Sequence, residues 1–484
     1  MRLLLLIFIA IATQADDWQF LTIGGGYSPD GNQVSLEKNV QFYQRLLTDL
    51  RLAAAPHHLL FADGNSSGRD LHFEPPEADV PEINDLLSRV LGHSDNLGYN
   101  YRSHELRTNG DASVASIDRW FKQAPKKLAD SRLLIYFTGH GGPGPKKRPG
   151  NTVMHLWQEE DLRVAEFAKR LDTLPVSAEV VLVMVQCFSG GFANILFKDG
   201  NPKKGLAPQP RAGFFATVQD HYAAGCTPDI DEANYQDYST SFFAALWGKD
   251  RIGNPVAKPD YNDDGVVSFA EAHAYTVIHS INVDAPVKTS GVFLRQYSSL
   301  DGASFSKKEL FAAADSAEHA ILTAVGKRLQ HDKAPLAGTA RSRANALYNE
   351  RDALEGKIEK LLDQQETLLE SVAADLTAQW PELKNPWHPR VRTLMEAPHR
   401  QAILDAIQTH ADYAKYEKLD KKLDAIDAKY TKIDQEWPDW ERFARTAENV
   451  ILRQRLPELA NSAIQARFAQ LIKLEEGTLA APVK

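Results

Sequence analysis

The 484-residue sequence predicts an α/β fold: a mostly parallel sheet with helices on both faces, followed by an all-α helical hairpin or small bundle. Three observations predict it. Up to about residue 305, short apolar runs alternate with amphipathic, helix-length stretches, the pattern of βαβ units. Two of those runs end at glycine-rich turns that carry His140 and Cys187. Beyond residue 305 the chain becomes rich in Ala, Leu, Glu, Lys and Gln, with leucines seven residues apart, which reads as packed helices.

In chain order, Phe20–Ile23 is the first expected strand, closed by Gly24-Gly25-Gly26. Ser35–Leu50 follows as a helix, with Val40, Tyr43, Leu46 and Leu47 on one side. His58–Phe61 is the next strand, and 65–112 reads as irregular because of Pro75, Pro76 and Pro81. A helix over Ala112–Leu128 precedes the strand Leu133–Phe137; a helix over Val164–Leu171 precedes the strand Val180–Val185. A helix over Gly191–Phe197, a strand over Ala212–Val218, and helices over Ser239–Trp247 and Ala272–Ser280 complete this part. Further on, Leu347, Leu354, Leu361 and Leu368 form one heptad run, and Tyr416, Leu423, Tyr430 and Trp437 a second. Pro381, Pro386 and Pro389 separate them, which predicts two antiparallel helices rather than one long coiled coil.

Composition narrows the function. Hydrophobic residues make up 43% and charged residues 25%, an ordinary globular balance. The net charge of −9 argues against a general nucleic-acid binder. Lys146-Lys147-Arg148 is read as a solvated loop. Arg2, the apolar run Leu3–Ala12 and the small-residue site Thr13-Gln14-Ala15 predict a signal peptide over 1–15. A secreted or periplasmic protein with no membrane span is therefore expected. The domain expectation is then 16–304 and 305–484. With only Cys187 and Cys226 in the chain, both thiols are expected free, since a chain this long needs no disulfide to hold its core. Asn65-Ser66-Ser67 is a glycosylation sequon.

The chemistry is carried by Thr138-Gly139-His140-Gly141-Gly142 and Gln186-Cys187-Phe188-Ser189-Gly190-Gly191. Both sit where a buried strand ends, and ligands of such sheets bind outside the carboxyl ends of the strands. A thiol and an imidazole brought together there are the minimal kit for cysteine nucleophilic catalysis. A helix beginning just after Cys187 would favour the thiolate through its dipole. His140 would then serve as acid and base, and the amides of Gly141 and Cys187 would hold the oxyanion. The serine elbow Gly-x-Ser-x-Gly is broken by Cys187, and no zinc spacing is present.

The residues Tyr136-Phe137-Thr138-Gly139-His140-Gly141-Gly142, with the cysteine segment 47 residues later, resemble the caspase-like cysteine peptidases, nearest to the legumain family. The resemblance spans roughly residues 18–300. It implies a caspase-like sheet and an endopeptidase acting on protein or peptide, with no cofactor required for catalysis. By the same resemblance Asn32, in Gly31-Asn32-Gln33-Val34-Ser35, is the third member that orients His140; a turn asparagine is the alternative. Legumain's following Arg and His are replaced here by Val34 and Ser35. Asp237, with Thr217 on one wall and Glu37 as a second acid, is the implied substrate pocket, and an acidic pocket without that Arg implies a basic side chain before the scissile bond. The C-terminal helices imply either a latency cap or a docking or self-association module. A transpeptidase using the same thioester, or a non-catalytic binding protein that keeps the fold, are the alternative functions.

A separate motif spans Asp260–Glu271. Asp260, Asn262, Asp264, Val266, Ser268 and Glu271 fall at the ligand positions of a twelve-residue calcium loop, with Gly265 at the sharp turn. Pro259 removes the entering helix. The expectation is a structural calcium ion, the alternative an Asx turn that caps the following helix.

Overall fold

The computed structural model describes residues 18–74, 80–92, 100–124, 128, 131–329 and 336–479. The expected signal peptide over 1–15 lies outside them. The described residues divide into two compact units: residues up to 72, 101–338 and 442–484 form the first, and 73–100 with 339–441 the second.

The first unit is a mixed α/β fold built on a six-stranded sheet. From one edge the strands run Val287–Lys288, Arg211–Phe215, Glu179–Val185, Arg132–Gly139, Trp18–Gly25 and His57–Phe61. All neighbours pair in parallel except Val287–Lys288, which is antiparallel to its neighbour. The apolar runs seen in the sequence are nearly continuous because these strands are covered on both faces. Alternate residues feed two cores. Phe20, Leu134, Tyr136, Val181, Val183 and Phe214 pack on one face with Phe42, Phe243, Phe269, Phe293 and Phe468. Leu21, Leu133, Ile135, Val180, Leu182 and Met184 pack on the other with Ile117, Phe121, Phe167 and Phe192.

The first strand, Trp18–Gly25, lies next to one edge; from it the chain moves outward to the edge strand His57–Phe61, then returns to the other side of the first strand at Arg132–Gly139. The order reverses between Trp18–Gly25 and Arg132–Gly139. Such a switch opens a crevice outside the carboxyl ends of the two strands, the usual ligand position of an open parallel sheet.

Most expected elements are present, with shifted ends. The stretch 65–112 is a correction: Glu82–Val90 is a helix, begun at Pro81 and burying Ile83, Leu86, Leu87 and Val90. The expected helix after Cys187 is a 3-10 helix, Ser189–Leu196. Ahead of the cysteine strand lies an unanticipated antiparallel sheet, Gly141–Gly142, Val153–Leu156 and Glu160–Arg163.

The second unit is the predicted antiparallel pair. Its long helices are Ala337–Gln379, from residue 339 on, and the part of Ala411–Leu459 up to residue 441. A ladder joins their rows in opposite directions: Arg343 pairs with Glu436 at 2.7 Å, Arg351 with Asp434 at 2.8 Å, Gln365 with Asp420 at 3.1 Å and Ser371 with Asp412 at 2.8 Å. Val372, Leu376, Leu383, Leu394, Ile403, Ile407 and the helix Glu82–Val90 make its core.

The boundary expected at residue 305 is also corrected. Leu452, Leu456, Phe468, Leu471 and Leu474 belong to the core of the first unit, so the C-terminal third is not one separable domain. No helix among the described residues is long and apolar enough to cross a membrane.

Candidate active site

Two adjacent central strands deliver the reactive side chains. Thr138 and Val185 are register partners; His140 and Cys187 each follow two residues later, so they leave the sheet side by side. Adjacent strands lie about 4.8 Å apart. The two turns also touch: a Cβ added to Gly141 would stand 2.5 Å from the Cys187 carbonyl oxygen and 2.6 Å from the Gln186 side chain. Glycine is needed there because the two strand ends leave no room for a side chain. His140 and Cys187 are both half-buried.

The imidazole is held by the loop after the first strand, across the switch point. His140 Nε2 lies 2.8 Å from the Gly31 carbonyl and 2.9 Å from Gln33 Oε1. A carbonyl oxygen only accepts, so Nε2 carries the proton and the neutral ring keeps Nδ1 as its basic nitrogen. Tyr27 packs edge-to-face on the ring at 5.3 Å. Burial pushes the His140 pKa down; the Gly31 bond opposes this, and His155 and His72 add to it.

The thiol sits in a clamp from another loop. Cys187 Sγ accepts from the Ala223 amide at 3.3 Å and lies 3.8 Å from the Ala223 carbonyl. Asp284 fixes that loop by accepting from the Ala224 amide at 2.8 Å. Burial pushes the Cys187 thiol above its ordinary pKa; the Ala223 amide lowers it and the Asp284 charge raises it. Burial thus works against the expected thiolate. Phe188 adopts a left-handed conformation, φ 58°, the segment that follows is 3-10, and desolvation outweighs any dipole. Both shifts favour the neutral forms, thiol at Cys187 and imidazole at His140. Both cysteines are free; Cys226 is exposed, with Sγ 3.9 Å from the Gly139 carbonyl.

Asn32 does not reach His140 through its side chain. Its Oδ1 accepts from the Gly26 amide at 3.0 Å, and its Nδ2 donates to the Asp70 carbonyl at 2.9 Å. It shapes the loop whose neighbours, Gly31 and Gln33, hold the ring. The sequence signal was one residue away, in a side chain one methylene longer.

The expected pocket residues have other tasks. Asp237 is 1% exposed and caps the helix Tyr238–Trp247, accepting from the Thr240 amide at 3.2 Å; Arg251 stands 3.5 Å away. Glu37 is fully buried and takes Arg102 in a two-bond pair at 2.6 and 3.2 Å. Thr217 is fully buried, its backbone bonded through N and O to Ser189 Oγ. None offers a free carboxylate to a basic substrate. Acids at helix starts satisfy amides first, and that is where Asp237 sits.

In the Asp260–Glu271 loop, Asp260 accepts from the amides of Asp264 and Gly265 at 3.0 and 2.8 Å, Asn262 from Asp264 at 3.0 Å, and Asp264 from Val266 at 2.9 Å. Ser268 caps the following helix. Glu271 Oε1 takes the amides of Tyr261 and Asn262 at 2.8 and 3.2 Å, and Oε2 takes the amide and hydroxyl of Ser268, both at 2.9 Å. With both its oxygens engaged, the twelfth position is not offered to an ion, so this donor set fits the capping alternative. Asp63, Asp70 and His104 bring ligand atoms within 4.8 Å of one another. Yet His104 bonds the Gly64 carbonyl through Nε2 at 2.6 Å and the Leu106 amide through Nδ1 at 3.2 Å, so the group braces Asn32 through Asp70.

Lys146, Lys147 and Arg148 are exposed, as a solvated loop requires. Comparison of the chain with protein-family models and with curated proteins gives no match.

Proposed function

We propose that this chain is a cysteine endopeptidase of the caspase-like type, nearest to legumain, acting on a peptide or protein through Cys187 and His140. The observation that carries the reading is the shared register. A thiol and an imidazole two residues past paired positions on adjacent parallel strands, beside the switch point, stand where such a sheet binds its ligand.

The neutral resting pair sets the order of events. As Cys187 Sγ attacks the scissile carbonyl carbon, His140 Nδ1 takes the thiol proton. The Nε2–H remains on the Gly31 carbonyl and Gln33, which favour the imidazolium. The amides of Gly141 and Cys187 hold the developing oxyanion. Nδ1–H then protonates the leaving amine as the C–N bond breaks, which leaves a thioester. Water, deprotonated by Nδ1, attacks the thioester; the acid leaves and the thiol is restored.

The test is labelling with a peptidyl acyloxymethyl ketone, which alkylates an attacking cysteine. The native chain is expected to label at Cys187, and Cys187→Ala to remain unlabelled with an unchanged melting temperature. A folded native chain left unlabelled by a library of such peptides overturns the reading.

A further inference from the structure

The loop Gly26–Gln33 is fixed from several sides. Gly31 donates to Ser28 Oγ at 3.3 Å, and Asn32 donates to the Pro29 carbonyl at 3.2 Å. The Asn32 side chain ties Gly26 to Asp70, and the Asn32 carbonyl accepts from the His72 amide at 3.0 Å. Gln33 then stands at the N-cap of the helix Val34–Asp49, yet its side chain makes no capping bond. Ser, Thr, Asp or Asn normally fills that position because a short side chain folds back on the helix amides. Here the longer side chain reaches away, to His140 Nε2 at 2.9 Å.

We infer that Gln33 is the positioning residue of the proposed reaction: with the Gly31 carbonyl it holds His140 in one ring orientation and one tautomer, leaving Nδ1 to exchange protons with Cys187 and the leaving group. This rests on the cysteine-peptidase reading. An amide oxygen on Nε2 also favours the imidazolium formed during attack. That matters because other groups facing the ring oppose a positive charge or leave it unbalanced: His155 and His72 from neighbouring elements, the Tyr27 ring, and burial itself.

Two substitutions separate positioning from mere packing. Gln33→Ala removes the acceptor; it is expected to lower kcat about tenfold to a hundredfold, the usual scale for orienting partners, with KM within about threefold. It should also move the acidic limb of kcat/KM to lower pH. Gln33→Glu keeps the reach and adds a negative charge, so the acidic limb should move to higher pH while most of the kcat returns. In parallel, the nitrogen resonances of His140 are followed by NMR in Cys187→Ala and in the Gln33→Ala/Cys187→Ala double variant, which needs no turnover. The expected result is loss of the fixed Nε2–H tautomer in the double variant. A native chain that labels, with a Gln33→Ala variant whose kcat and acidic limb both stay within twofold and whose His140 tautomer is unchanged, overturns the inference. A native chain that fails to label overturns the underlying reading instead.

Discussion

At the scale of the residue, the decisive quantity is the proton on Cys187. The sequence places a thiol before a glycine-rich turn, and that turn suggests a helix start able to lower a thiol's pKa. Burial wins, because a half-buried sulfur with one amide donor and an Asp284 carboxylate nearby gains too little to offset desolvation. Thiolate chemistry should follow. Iodoacetamide alkylation at Cys187, read by peptide mass spectrometry, is expected to rise continuously from pH 6 through about 9, the ordinary thiol range, with no plateau near neutrality. His140 is depressed, so it stays neutral below the ordinary imidazole value of about 6.5 and puts no step in that profile near 6.5. A plateau between pH 5 and 7 would show a preformed thiolate–imidazolium pair. The placement of His140 and Cys187 at adjacent strand ends was legible because strand, glycine and order coincide in the chain. Gln33 was not, since the sequence does not say which way an N-cap side chain turns. Asp237 misled for the related reason that an acid at a helix start looks the same whether it caps or lines a pocket.

At the scale of the element, the cysteine turn is set by close packing around its glycines. A Cβ at Gly190 would lie 2.6 Å from the Thr217 carbonyl oxygen and 2.8 Å from the Gln219 amide nitrogen, both backbone atoms. A Cβ at Gly191 would meet Thr152 Oγ1 at 2.3 Å. These contacts explain the 3-10 form of Ser189–Leu196: the segment threads between two strand ends and tightens to i→i+3 bonds, as in Gly191 N–H to the Phe188 carbonyl at 3.2 Å. The sequence shows the glycines but not the neighbours that make them necessary, because Thr152 and Thr217 come from distant segments. Gly190→Ala is expected to destabilise the fold by about 1–3 kcal/mol, the cost of overpacking, measured by urea denaturation. Since the backbone carrying Cys187 must shift with it, probe labelling should slow at least tenfold. Unchanged stability would mean that the Thr217 segment yields easily. The long helices were the easiest elements to read, because a seven-residue repeat survives without knowledge of the partner. The helix Glu82–Val90 was hidden by the prolines ahead of it, of which Pro81 opens it at the N-cap rather than breaks it.

At the scale of the whole molecule, what the sequence concealed is chain routing. A change of composition near residue 305 suggests a second domain running to the C-terminus, but residues 442–479 return to the first unit. Arg442 there donates to the carbonyls of Ser280 and Asp284 at 2.7 and 2.9 Å. Asp284 in turn holds the Ala224 amide, next to the residue that clamps Cys187. Glu475 pairs with Lys288 at 3.0 Å and accepts from the Ser290 amide at 2.7 Å. Phe468, Leu471 and Leu474 close the core face opposite the Phe167 side, each contributing about 1.5–3 kcal/mol. Removal of everything beyond residue 305 is therefore incompatible with a stable first unit. A chain ending at Glu441 is expected to express as aggregate or to melt without a cooperative transition. Arg442→Met, which keeps the length and loses the donors, leaves buried carbonyls unpaired at about 1–3 kcal/mol each; it should fold with a lowered urea midpoint and label more slowly at Cys187. If the chain truncated at Glu441 folds cooperatively and labels like the full chain, the C-terminal segment is dispensable, and the path from Arg442 through Asp284 to the thiol clamp does not govern the site.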